Sequence, residues 1–170
     1  MKRIYAIAVM LLMAVGAYAQ SGKAIYNKYS DSDGVSAVYI SPTMFKLMGK
    51  LPNLDVETSD GEKIDVAPLV RSFEGFFLLD VQNKSQAAEL KQEVQSMIKS
   101  GRFEMLMEAK SSGSTVRIYT AGDNKAISSL VLLSQEGDSV QFICLEGAMN
   151  RNDFENLLAQ SINLPNQPSK

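Results

Sequence analysis

Apolar residues recur in short alternating runs through the second half of this chain, and at helical spacing in several stretches before and after it. Four apolar runs lie between Phe103 and Glu146. They are divided by Ser111-Ser112-Gly113-Ser114, Gly122-Asp123-Asn124-Lys125 and Glu136-Gly137-Asp138. Strand-length runs joined by turn residues predict a four-stranded antiparallel meander. With Ser112-Gly113 as a two-residue turn, Ala109 faces Val116, Met107 faces Ile118 and Met105 faces Thr120 on one mostly apolar side. On the other side Glu108 meets Arg117 and Leu106 meets Tyr119, pairings that cross-strand neighbours favour. A second hairpin turning at Glu136-Gly137 pairs Leu133 with Val140 and Val131 with Phe142. Its other side pairs Leu132 with Gln141 and Leu130 with Ile143. Both of its sides are apolar, so these strands are expected to be covered twice, whereas the first hairpin keeps one wet face.

Upstream, Ile25 and Tyr29 share a helical face within residues 22–29, and Ser30-Asp31-Ser32-Asp33-Gly34 reads as a turn. Val35 to Ile40 reads as a strand. Ser41 then caps a helix with Pro42 in its first position and Met44, Phe45 and Met48 on its apolar side. Residues 52–64, with Asp55, Glu57, Asp60 and Glu62, form an expected exposed acidic loop. Asp65 can cap a short helix running through Phe73, with Pro68 in the first turn where a missing N–H is tolerated. Phe76 to Val81 suits a buried central strand. Asn83 and Gln86 have capping-box spacing for a helix buried along Ala87, Leu90, Val94, Met97 and Ile98 and stopped by Gly101. Asn152 and Glu155 repeat that spacing before a last helix with Phe154, Leu157, Leu158 and Ile162. Residues 165–170 read as a frayed tail. The expected fold class is α+β: about six strands, largely antiparallel, ending in the meander, with amphipathic helices packed on the sheet.

Residues 1–19 have the signature of a secretory signal peptide. Lys2 and Arg3 supply the charge, Ile4 to Val15 the apolar core, and Ala17-Tyr18-Ala19 the cleavage site. That core is too short to span a bilayer, which takes about 20 residues. Residues 20–170 then form one domain. Gln20 stands where a lipoprotein would need cysteine, so the expectation is a soluble protein, periplasmic or secreted, with no membrane span. Removing Lys2 and Arg3 leaves 15 basic and 19 acidic residues, a net charge of −4. With no basic block, nucleic acid is not an expected partner.

Histidine is absent, so Ser-His-Asp and Cys-His catalysis and His-built zinc sites are excluded. The one cysteine, Cys144, excludes an internal disulfide. It lies between Ile143 and Leu145 and reads as a small core residue, with an intermolecular disulfide as the alternative. Ser96-Met97-Ile98-Lys99 and Lys99-Ser100-Gly101 imitate penicillin-recognising motifs, but one lysine cannot serve two sites, and a solvated helix end is expected. Asp31, Asp33 and Gly34 are out of phase for a calcium loop, while the acidic loop offers at most a weak calcium site. Asp138-Ser139-Val140 has the form of a bacterial O-glycosylation triplet or a plain turn. The six methionines after the leader fall mostly at expected core positions. No cofactor is expected.

Several stretches together resemble the exported bacterial proteins grouped as domain of unknown function 4252. They are Asp33-Gly34-Val35-Ser36-Ala37-Val38-Tyr39-Ile40-Ser41 with the helix after it, Val116-Arg117-Ile118-Tyr119, and Phe142-Ile143-Cys144-Leu145-Glu146-Gly147. The resemblance implies a shared fold and an envelope-stress or regulatory setting, and carries no catalytic residues. The expected function is a non-catalytic interaction or regulatory module of the envelope, partnered by another envelope protein. The candidate face is Glu104, Leu106, Glu108, Arg117 and Tyr119. The alternative is a carrier of small apolar ligands with a pocket between sheet and helices. A third reading is a hydrolase using carboxylates such as Asp80 and Glu74.

Overall fold

The computed structural model describes residues 21–51, 55–57 and 63–155. Six strands form one antiparallel sheet in the order β1-β4-β8-β7-β6-β5. They are β1 (Val35–Ile40), β4 (Phe73–Val81), β5 (Glu104–Ser111), β6 (Ser114–Gly122), β7 (Ala126–Glu136) and β8 (Ser139–Asn150). The last four make the expected meander. β1 and β4 join it because β4 pairs with β8, so the N-terminal strand pair extends the sheet on the free side of β8.

Two helices cover one face. α1 (Gly22–Tyr29) is capped by Ser21, whose side chain accepts from Ala24 N–H. α4 (Lys84–Ser100) is capped by Asn83, which accepts from the N–H groups of Ser85 and Gln86. Gln86 makes only half of the expected capping box, since its own side-chain oxygen is buried without a partner. Ile25 and Tyr29 of α1, and Ala87, Leu90, Val94 and Met97 of α4, pack on Phe77, Leu79 and Val81 of β4, Val131 and Leu133 of β7, and Val140, Phe142 and Cys144 of β8. This is the main core. Its strand residues recur at every second position, as the two-residue period of a pleated strand requires.

α2 (Pro42–Met48) starts on the expected Ser41 cap, and α3 (Ala67–Arg71) follows Asp65, which accepts from Ala67 N–H. α3 is shorter than the sequence suggests. Phe73 belongs to β4, where an irregularity between Phe73 and Gly75 shifts the register against β8. A second shift, between Ile127 and Ser129, displaces β7 against β8. Together these shifts allow Phe73, Ile127 and Met149 to meet on the face opposite α1 and α4. There they form a small second core with Leu69, Leu130, Leu145 and Phe154.

Other expectations are revised. Part of the acidic segment forms a two-stranded ribbon, β2 (Asp55–Glu57) with β3 (Lys63–Asp65); its remaining positions, Asp60 and Glu62 among them, lie outside the described residues. The last helical segment, 151–155, is capped by Asn150 rather than Asn152, because β8 runs on to Asn150. Leu157, Leu158, Ile162 and the tail lie outside the described residues, as does the leader.

Both hairpin registers need correction. In the first, Ala109–Val116, Glu108–Arg117 and Met107–Ile118 pair as expected. An irregularity at Leu106 then sets Met105 opposite Tyr119 and Glu104 opposite Thr120. In the second, the turn is Gly137-Asp138, with Gly137 at φ 56°, and Leu133 pairs with Phe142 and Val131 with Cys144. Glycine at the first central turn position supplies the positive φ of a primed hairpin turn. The offset moves each partner by two residues, so the face of every side chain is unchanged. Methionine placement also differs: Met97 and Met149 are core residues, while Met44, Met105 and Met107 are exposed.

Candidate functional site

The five residues proposed as one open face are divided by the fold. Glu108 and Arg117 do meet: Arg117 Nε donates to Glu108 Oε2 at 2.6 Å, and Lys110 Nζ reaches Glu108 Oε1 at 2.7 Å. The Lys110 ammonium first, and the Arg117 guanidinium next, hold the Glu108 carboxyl below its ordinary range. Tyr119 lies opposite Val131 and belongs to the main core, 9% exposed, so it is not a surface residue. Leu106 is the unpaired residue of the irregularity. Glu104, beyond it, lies opposite Thr120 in a row that runs through Leu130 and Leu145 on the other side of the sheet.

The hairpin is also turned over relative to expectation. Its charged side belongs to the face that α1 and α4 cover, at a point these helices do not reach. Its apolar side belongs to the opposite face. There, one row crosses all six strands: Val38, Leu78, Ile143, Leu132, Ile118 and Met107 stand successively opposite one another. Six strands at their usual spacing make this row about 24 Å wide. None of its members belongs to either packed core. The four inner members are half-buried, and the end members Val38 and Met107 are 46% and 47% exposed. The next row, Ser36, Asp80, Gln141, Ser134, Val116 and Ala109, is mostly polar and bounds it on one side. On the other side Leu145 and Leu130 lead into the second core.

This row was missed because both faces of the second hairpin are apolar, and the sequence treats them alike. Its signal was the strict alternation that gives Ile118, Leu132 and Ile143 one shared side. Exposed Leu106 lies next to Met107 on β5, whereas exposed Met105, opposite Tyr119, and Tyr39, stacked on Phe77 at 5.3 Å, belong to the face that α1 and α4 cover.

Among the clefts that border the helices, two adjoin α1. One of about 360 Å³ lies between the start of α1, the end of α4 and the sheet, bordered by Ser21, Glu74, Met97, Phe103, Ser129 and Glu146 among others. Glu146 Oε1 is engaged there by Gly22 N–H at 2.9 Å. The other, about 280 Å³, separates α1 from α4. In it Lys28 Nζ bonds Glu93 at 2.9 Å and sits 5.1 Å from the Tyr29 ring centre, above a buried Tyr29 hydroxyl that has no partner. The hydrogen bond to Glu93 raises the Lys28 pKa, and burial raises that of Tyr29.

Asp80 and Glu74 do not converge. They stand six residues apart on β4, about 20 Å at the rise of a strand. Ser96 and Lys99 are exposed on α4. Ser139 closes the last hairpin and donates to Glu136 O at 2.8 Å, while Asp138 pairs with Lys84 at 3.3 Å. Among the described residues no group of three or more acidic, histidine or cysteine side chains is placed to hold a metal. Among them, too, no helix is long and apolar enough to cross a membrane. Cys144 is fully buried, which closes it to a partner cysteine. Burial, opposed in part by the Ser129 hydroxyl, pushes its thiol up to about 12.

The family model described as Domain of unknown function (DUF4252) matches residues 29–157, well over half of the chain. No curated protein and no solved structure matches.

Proposed function

We propose, from the premise that this chain belongs to the family of domain of unknown function 4252, a non-catalytic protein-binding role in the bacterial envelope. The observation that carries it is the apolar row from Val38 to Met107, which neither packed core among the described residues includes. A stripe across a whole sheet, rimmed by a polar row and ending in exposed Met107 with Leu106 next to it, has the form of an interaction surface. Met107 adds adaptability, since an unbranched thioether refits to different partner shapes. Export rests on the leader signature of residues 1–19 and places the partner among exported or envelope proteins.

The test is a cross-linking capture from envelope extract with the purified protein as bait. Substitutions at the two ends of the row, Val38→Glu and Met107→Glu, change exposed positions and leave the cores intact. Loss of a stoichiometric partner in both variants, with unchanged circular dichroism, supports this reading. Capture that survives both substitutions sinks it. The cleft of about 360 Å³ favours a second reading, a small-ligand carrier, since its volume falls at the low end of ligand pockets. A carrier would release a co-purifying small molecule on denaturation, detectable by mass spectrometry.

A further inference from the structure

We propose that the outer edge of β5 pairs with the same edge of a second copy of this chain, in an antiparallel contact centred on Ala109. The contact meets the apolar row at Met107 and does not require a foreign partner.

β5 is the last strand of the sheet, with β6 on one side and no strand on the other among the described residues. All eight of its residues are exposed. The direction of its free backbone groups follows from the turn. A two-residue loop makes the flanking pair, Ser111 and Ser114, hydrogen-bonded, and antiparallel pairs then alternate. Ala109 and Met107 therefore turn their backbone groups toward β6, and Glu108 and Lys110 turn theirs outward. The irregularity at Leu106 ends this alternation, so the regular open edge runs from Met107 to Ser111.

An antiparallel self-contact must set outward residues opposite outward residues. Three two-fold arrangements satisfy this within the segment. Centring on Glu108 places two carboxylates together, and centring on Lys110 places two ammonium groups together. Centring on Ala109 places Glu108 opposite Lys110 of the second copy, twice. The charges select the third, because like charges directly opposite destabilise a strand pair and opposite charges favour it. Ala109 then sits on the axis as a non-hydrogen-bonded pair, where the Cα atoms approach to about 4.5 Å and a small side chain suits the gap. Among the described residues no helix lies at this edge: α4 packs on β8 and β4, with β7 and β6 between them and β5. A five-residue strand pair is smaller than a standard stable interface, so the association is weak and concentration-dependent.

The experiment uses Ala109→Cys under a glutathione redox buffer. Cys144 is fully buried, so intermolecular disulfides report on position 109. Ser36→Cys, exposed on the opposite edge strand, is the control. The expected result is a disulfide-linked dimer that forms at least ~10-fold faster for Ala109→Cys than for Ser36→Cys, a difference of about 1.4 kcal/mol in barrier. Adding Lys110→Glu, or Glu108→Lys, to Ala109→Cys slows the reaction of each variant alone. Mixing those two variants restores it, because opposite charges again face each other. Equal rates for positions 109 and 36, or indifference to the charge changes, overturn the proposal.

Discussion

The thiol of Cys144 ties stability to alkaline pH. It is 0% exposed beneath the α1 N-terminus, so close that a Cβ on Gly22 would overlap its sulfur. Its folded pKa is pushed up to about 12 from an ordinary value of 9.0. Above pH 9 the unfolded chain loses this proton while the folded chain keeps it. The unfolded state then binds fewer protons, and stability falls as pH rises, over the window from about 9 to about 12. At about pH 10 the loss from this one group is about 1.4 kcal/mol, growing by about the same amount for each further pH step until the folded thiol titrates. The assay is urea unfolding at about pH 7 and pH 10 for the natural protein and for Cys144→Ala. The variant starts less stable, because it loses a buried sulfur, but its decline with pH is shallower by about 1.4 kcal/mol. Tyrosines and lysines titrate in both proteins and cancel in the difference. Equal declines would show that the thiol is hydrated in the folded state, and would refute the packing of α1 over β8. A thiol reagent adds a check: Cys144 should react only on the timescale of unfolding.

Three further outcomes are expected. Phe142→Ala, at a fully buried position between the helices and the sheet, should cost about 3–5 kcal/mol in urea unfolding, with an unchanged m-value if the fold persists. Asn83→Ala removes the acceptor for two N–H groups at the start of α4 and should cost about 1 kcal/mol in the same assay. Asp123 accepts from the N–H groups of Lys125 and Ala126 in the β6–β7 turn, which holds its carboxyl below the ordinary range. Its contribution to stability is present above the unfolded carboxylate pKa and is lost as pH falls through the lower folded value. Asp123→Ala should therefore show a smaller acid loss, and NMR titration of this carboxyl should place its midpoint below that of a free aspartate.

Local signals carried much of the fold. Ser41 and Asn83 cap helices because a side-chain oxygen beside free N–H groups acts locally, whatever lies elsewhere in the chain. The two-residue period of β6, β7 and β8 assigned their side chains to faces, and those assignments survived the two-residue error in the second hairpin. The capping interaction at Asn150 was misplaced because asparagine at 150 and at 152 offers the same chemistry, and only the length of β8 decides between them.

Tertiary structure decided what no local pattern contains. Periodicity states that two faces differ; it does not state which face helices will cover. Charged Glu108 and Arg117 therefore lie on the side of the sheet that bears α1 and α4, and apolar Ile118 and Met107 on the opposite side. Leu106 looks like any alternating residue, yet the irregularity there sends Glu104 to the other face, because an extra unpaired residue reverses the alternation beyond it. The row from Val38 to Met107 draws on residues up to 105 positions apart, and it exists only because β4 pairs with β8. Sequence alone determined most of the segments that become strands and helices, the β2–β3 ribbon and the start of β4 at Phe73 excepted, since those choices depend largely on neighbours along the chain. The shared apolar surface depends on long-range strand order, which is fixed by the burial of all the strands and helices at once.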